Sequence, residues 1–152
     1  MTGSAGSRRL SPVELVVRIL VVAGLAVDSY VHLHLAARYQ LAQPSGIGQG
    51  NLFRMEAAVA IAVGLYVLVR GSRPAYLLAA LALLGGAGLV VLYRYVDVPA
   101  LGPIPSMYEP LWFGEKTLSA VAAAAGGVVA LVGLALPRRS GAHRTRAGRP
   151  QE

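Results

Sequence analysis

The chain has 152 residues, no cysteine, and a net charge of +7 from 14 Arg and Lys against 7 Asp and Glu. Apolar residues make up 55% of it and charged residues 14%, where a soluble domain carries about 25% charged. That balance excludes a disordered chain, a disulfide scaffold and an ordinary soluble enzyme. The basic residues sit in short blocks between long apolar runs, so the pI near 10.4 reads as a multi-pass protein of the cell membrane rather than a nucleic-acid binder.

The predicted fold is all-α, an integral membrane four-helix bundle over residues 12–136 with spans of about 12–35, 52–69, 74–95 and 112–136. Each approaches or exceeds the roughly 20 residues that cross a bilayer. The first opens with Ser11-Pro12-Val13-Glu14, a capping box with proline at the first helical position. Its Arg8-Arg9 start resembles a signal peptide. The apolar run is too long, however, and carries Asp28, His32 and His34, so a retained helix is expected. The second span is entered through Gly50-Asn51, with Asn51 read as its N-cap. Between the second and third, Gly71 ends one helix and Ser72 caps the next. The fourth begins between Pro110 and Glu115 and stops at Leu136-Pro137.

Orientation follows from the arginines. With four spans, one side of the membrane holds Arg8, Arg9, Arg18, Arg70, Arg73 and the five tail arginines; these ten face only Glu14 and Glu152, giving +8. The other side holds Arg38, Arg54, Arg94 and Lys116 against Asp28, Glu56, Asp97, Glu109 and Glu115, giving −1. The positive-inside rule therefore places both termini in the cytoplasm (N-in/C-in). Residues 1–11 form a cytoplasmic N-terminal segment and 137–152 a basic, disordered cytoplasmic tail, for which a topology anchor is a sufficient explanation.

Small residues crowd the last two spans: Gly85, Gly86 and Gly88 in the third, and Ala122, Gly126 and Ala130 four apart in the fourth. Lipid gives little drive for helix association, so such residues bring backbones close. The third and fourth helices are expected to pack together, and the same faces are the expected route to a homo-oligomer or a larger membrane complex. The outward connections, 36–50 and 96–109, are rich in glycine and proline. They are expected to form a fixed cover over the bundle. A faint likeness between the halves would align Glu56 with Glu115.

A charge deep in a span costs about 2.5–3.5 kcal/mol on insertion scales and is a functional hypothesis by default. Arg18 and Arg38 lie twenty residues apart, about 30 Å of helix, and Asp28 falls midway. Asp28 and His32 share a face, with Tyr39 near the same line, while Tyr30, His34 and Arg38 form a second stripe. His32 and His34 point about 160° apart and do not chelate together. The candidate ligand-binding set is Asp28, His32 and Glu56, with Tyr93, Arg94 and Glu115 able to join it; Asp28, His32 and Glu56 are also the candidate metal ligands. The structural alternative makes Asp28–His32, Glu56–Arg54 or Glu56–Arg94, and Glu115–Lys116 ion pairs that hold the helices in register. No cofactor is required. Thiolate and Fe–S chemistry are excluded by the lack of cysteine, and the HExxH, nucleophile-elbow, Walker and Rossmann motifs are missing.

Four short helices with cytoplasmic ends and a glutamate near the start of the second, in LFRMEAAVAIAVGLYVL, resemble the small DoxX-like bacterial membrane proteins over about residues 12–136. The Ala/Gly/Arg-heavy composition suits a high-GC bacterium. Some members of that family are associated with quinone-linked redox complexes. The resemblance implies a membrane accessory role and carries no site residues across. Three functions follow in order: a non-enzymatic accessory or assembly subunit with a polar cluster toward its outer face; an outward-opening protein that binds a small ligand or metal through Asp28, His32 and Glu56; and a proton-coupled small transporter acting as an oligomer. Nothing in the sequence demands catalysis.

Overall fold

The computed structural model describes residues 11–42 and 47–137. The expected N-terminal segment and basic tail lie outside these, apart from Ser11 and Pro137. The described chain is all-helical: α1 (Pro12–Ala42), α2 (Gln49–Arg70), α3 (Arg73–Tyr95) and α4 (Gly114–Ala135). All four helices are long and apolar enough to cross a membrane.

Local chemistry sets the helix ends. The capping box forms in both directions: the Ser11 amide donates to Glu14 Oε2 at 2.8 Å, and the Glu14 amide donates to Ser11 Oγ at 3.2 Å. Gly71 closes α2 in the left-handed conformation (φ 49°), its amide donating to the Val67 carbonyl. A side chain there would run into the Arg18 guanidinium, which donates from Nη1 to the Leu68 carbonyl at 3.2 Å. An arginine of α1 thus satisfies a free carbonyl at the negative end of α2. Ser72 Oγ accepts from the Ala75 amide and caps α3.

Two boundaries differ from the expectation. α1 runs on to Ala42, two turns past the expected end, because its last turns pack on the entry to α2. There Gly50 lies against the Ala36 carbonyl and the Gln40 side chain. α2 starts at Gln49 with Gly48 as N-cap, so Asn51 sits inside its first turn rather than capping it. The amide of Asn51 instead donates to Gln40 Oε1 of α1 at 3.0 Å. Gly48 has no side chain to cap α2, so a neighbouring helix supplies the acceptor for this third amide.

The helices form an antiparallel ring in which α1 packs extensively on α2 and α4, and α3 on α4. α2 and α3, although joined by a tight turn, touch least of the ring neighbours. The interior is rich in small residues: Ala57, Ala60, Ala79, Ala80, Ala123 and Ala130 are buried around a few large ones such as Leu25, Leu83, Val21 and Val67, while Leu65, Leu81, Val121 and Leu131 face outward. Large-outside, small-inside packing is what close helix contact in lipid favours. α1 and α4 cross closely, where a Cβ at Gly24 would fall 3.1 Å from Gly126 Cα. α3 meets α4 where Gly127 receives Leu84 and Gly133 receives Tyr76. The expected α3–α4 contact is therefore present, but Gly126 is shared with α1, and Gly85 and Gly88 have nothing within 4 Å.

The expected cover is built from less loop than its sequence allowed. Ile47 donates to the Pro103 carbonyl, joining the two connections at 3.2 Å. The second connection folds on itself through paired bonds between Leu101 and Ile104, and Ser106 donates to Asp97 Oδ1 at 3.1 Å. It returns to α3 through the Glu109 amide, which donates to the Tyr93 carbonyl at 3.0 Å.

Candidate functional site

Asp28 lies midway along α1 and is 4% exposed. It faces the bundle interior. Ser119 Oγ of α4, also 4% exposed, donates to Asp28 Oδ1 at 2.7 Å. One turn on, His32 Nδ1 lies 3.4 Å from the same oxygen and 2.9 Å from the Asp28 carbonyl. A carbonyl only accepts, so the shorter contact needs the proton on Nδ1 and leaves Nε2 as the nitrogen free to accept or to take a second proton. The His32 ring meets Phe53 of α2 edge-on, with centroids 5.1 Å apart.

Glu56, two turns into α2, completes this layer. Its carboxylate is within electrostatic range of both His32 and Asp28. Oε1 rests against Gly86 of α3, where a Cβ would lie 3.2 Å away. All four helices thus contribute to one polar layer in an otherwise apolar bundle: Asp28 and His32, Glu56, Gly86, and Ser119. Two carboxylates, an imidazole and a hydroxyl can hold or pass a proton and can bind a hydrogen-bond donor. Among the described residues no group of three His, Asp or Glu side chains is arranged to hold a metal ion.

The other three candidates make no hydrogen bond or ion pair with this layer among the described residues. Tyr93 and Arg94 lie at the end of α3 nearest the cover, where Tyr93 contributes its carbonyl to the Glu109 amide and Arg94 stacks over Tyr95 at 5.3 Å. Glu115 sits in the first turn of α4, one turn before Ser119, while Glu56 lies two turns into α2, so the two glutamates of the faint repeat differ in their places along their helices. The alternative ion pairs of Glu56 and Glu115 are also absent among the described residues. Arg54 donates to Asn51 Oδ1 at 2.6 Å, and Lys116 Nζ donates to the Glu109 and Leu111 carbonyls. The Asp28–His32 pairing is present. His34 lies on the exposed face, stacked on Tyr30, as the helical angle requires.

A second polar group surrounds Glu109. The Tyr39 hydroxyl donates to Glu109 Oε2 at 3.3 Å, and the Leu111 amide donates to Oε1 at 3.4 Å. A hollow of about 300 Å³ opens here, lined by Leu35, Arg38, Tyr39, Glu109 and Phe113. Tyr39, which lines the hollow, and His32 both pack against Phe53, so one ring links the hollow's lining to the Asp28 layer.

Sequence reasoning passed over Ser119, Phe53 and the carboxylate of Glu109. Ser119 is hidden in a run read only for its small size. A signal did exist: Ser119 and Asp28 each lie seven residues inside the expected outer ends of their spans, at 112 and 35. Phe53 carried no such mark, being one apolar residue among many. No protein-family model matches the chain, and no curated protein or solved structure shows significant similarity to it.

Proposed function

We propose that this is an integral membrane protein with both termini in the cytoplasm, and that it is a non-enzymatic binding protein whose site opens at the outer face. The observation that carries the reading is the hollow beside α1 and the start of α4, lined by Arg38, Tyr39 and Glu109, whose Tyr39 shares the Phe53 ring with His32 of the Asp28 layer. Asp28 is satisfied inside the chain by Ser119 and His32, so it is not spent on a neighbouring subunit. Intramembrane ionisable groups turned toward a bundle interior are the usual mark of a ligand or proton site. Four unbroken helices give little support to transport by alternating access.

Native mass spectrometry of the detergent-purified protein tests this. One small molecule per chain is expected in the wild type, with weaker retention in Phe113→Trp, which narrows the hollow. A wild-type protein that carries nothing, and that gains nothing on incubation with membrane extract, refutes it.

One observation favours a second reading, an accessory subunit of a larger membrane complex as the DoxX-like resemblance implies. Gly85 and Gly88 of α3 face open space, which leaves a flat strip for another helix. Gly85→Leu then disrupts assembly without unfolding the chain, read as a change in subunit count or co-purifying partners.

A further inference from the structure

The hollow carries charges of both signs that do not neutralise each other. Arg38, on an exposed face of α1, has no hydrogen-bond or ion-pair partner among the described residues, and it makes no ion pair with Glu109 across the cavity. The Glu109 carboxylate is held in place by the Tyr39 hydroxyl and the Leu111 amide. Both are neutral donors, and the carboxylate makes no ion pair among the described residues, although the Lys116 ammonium lies within electrostatic range of it. That ammonium is held by the backbone carbonyls of Glu109 and Leu111 and lies over the Trp112 ring. The apolar Leu35 and Phe113 line the same hollow. The hollow is at the end of the apolar spans, and exposed Tyr95, Tyr108 and Trp112 lie at the same end of the bundle. Such aromatic side chains mark headgroup depth.

An anion and a cation held a few ångströms apart on an apolar stem complement this arrangement. We propose that the hollow binds the headgroup of a zwitterionic phospholipid from the outer leaflet. Its phosphate is recognised by Arg38 and its ammonium group by Glu109, while the start of the acyl region lies on Leu35 and Phe113. This rests on the outward-opening site proposed above and names its ligand class.

The test uses full-length protein in detergent micelles with equimolar phosphatidylethanolamine and phosphatidylglycerol, read by native mass spectrometry. The wild type is expected to retain phosphatidylethanolamine over phosphatidylglycerol by about tenfold or more, the ratio one charge-assisted hydrogen bond supplies. Glu109→Gln, which keeps an acceptor for Tyr39, is expected to remove the preference. Arg38→Gln is expected to weaken retention of both lipids, and Arg38→Lys to restore part of it. Equal retention of the two lipids by the wild type, or an unchanged preference in Glu109→Gln, overturns the proposal. Displacement of lipid by soluble glycerophosphoethanolamine at a similar concentration also overturns it, because the ligand is then a free headgroup compound. A wild type that holds a non-lipid molecule overturns this inference alone. One that holds neither lipid nor any other molecule overturns the binding site as well.

Discussion

Ser119 and Asp28, 91 residues apart in the chain, meet at 2.7 Å between α4 and α1 in the interior of the bundle. A short hydroxyl-to-carboxylate bond of this kind is charge-assisted. It decides which way α1 is rotated: Asp28 and His32 turn inward, while Tyr30, His34 and Arg38 turn out. The polar layer is therefore a property of the single chain.

Ser119→Ala removes the donor and leaves a buried carboxylate short of a partner. The expected loss is about 1.5–3 kcal/mol, the usual range for hydrogen bonds to charged groups. In an Asp28→Asn background the same substitution is expected to cost clearly less. A double-mutant cycle from reversible unfolding in detergent measures the coupling, and additive losses would show that the two side chains do not interact.

At the Gly24–Gly126 crossing a Cβ on either glycine would lie 3.1–3.2 Å from its neighbours, so a branched side chain must push them apart. Gly126→Val is expected to destabilise the chain by about 1–3 kcal/mol through overpacking. Gly85→Val, at a position with nothing within 4 Å, is expected to leave the monomer within about 0.5 kcal/mol of the wild type. Equal losses for the two would mean that α1 and α4 are not closely packed at Gly126.

Gly71 and Gly88 separate backbone from space. Gly71 has φ 49° and the Arg18 guanidinium against it, so Gly71→Ala is expected to cost at least about 1–2 kcal/mol. Gly88 is helical and open, and Gly88→Ala is expected to stabilise by roughly 0.5–1 kcal/mol. Melting temperatures of the two variants, measured side by side, should move in opposite directions.

Much of the fold was legible because its signals are local. Apolar length located the helices, and Ser11, Glu14, Gly71 and Ser72 marked ends that they do cap. The end of α1 was not legible, since what prolongs it is the packing of Ala36 and Gln40 on Gly50 in another helix. The site divides in the same way. Asp28 and His32 are one turn apart, so their pairing follows from helical geometry. Ser119, Phe53 and Glu109 reach the site only through rotations of α4 and α2 and the path of the second connection, which no local pattern encodes.

The orientation of the chain is the claim on which the outward-opening site depends, and the lack of native cysteine allows a direct measurement. Single cysteines at Ser4, Ala100 and Ser140 are treated with a membrane-impermeant maleimide in intact cells and again after permeabilisation. Ala100→Cys, in the exposed second connection, is expected to react in intact cells, and Ser4→Cys and Ser140→Cys only after permeabilisation. Labelling of the terminal cysteines in intact cells with Ala100→Cys protected, or of one terminus without the other, would contradict both the four-span orientation and the outward face of the hollow.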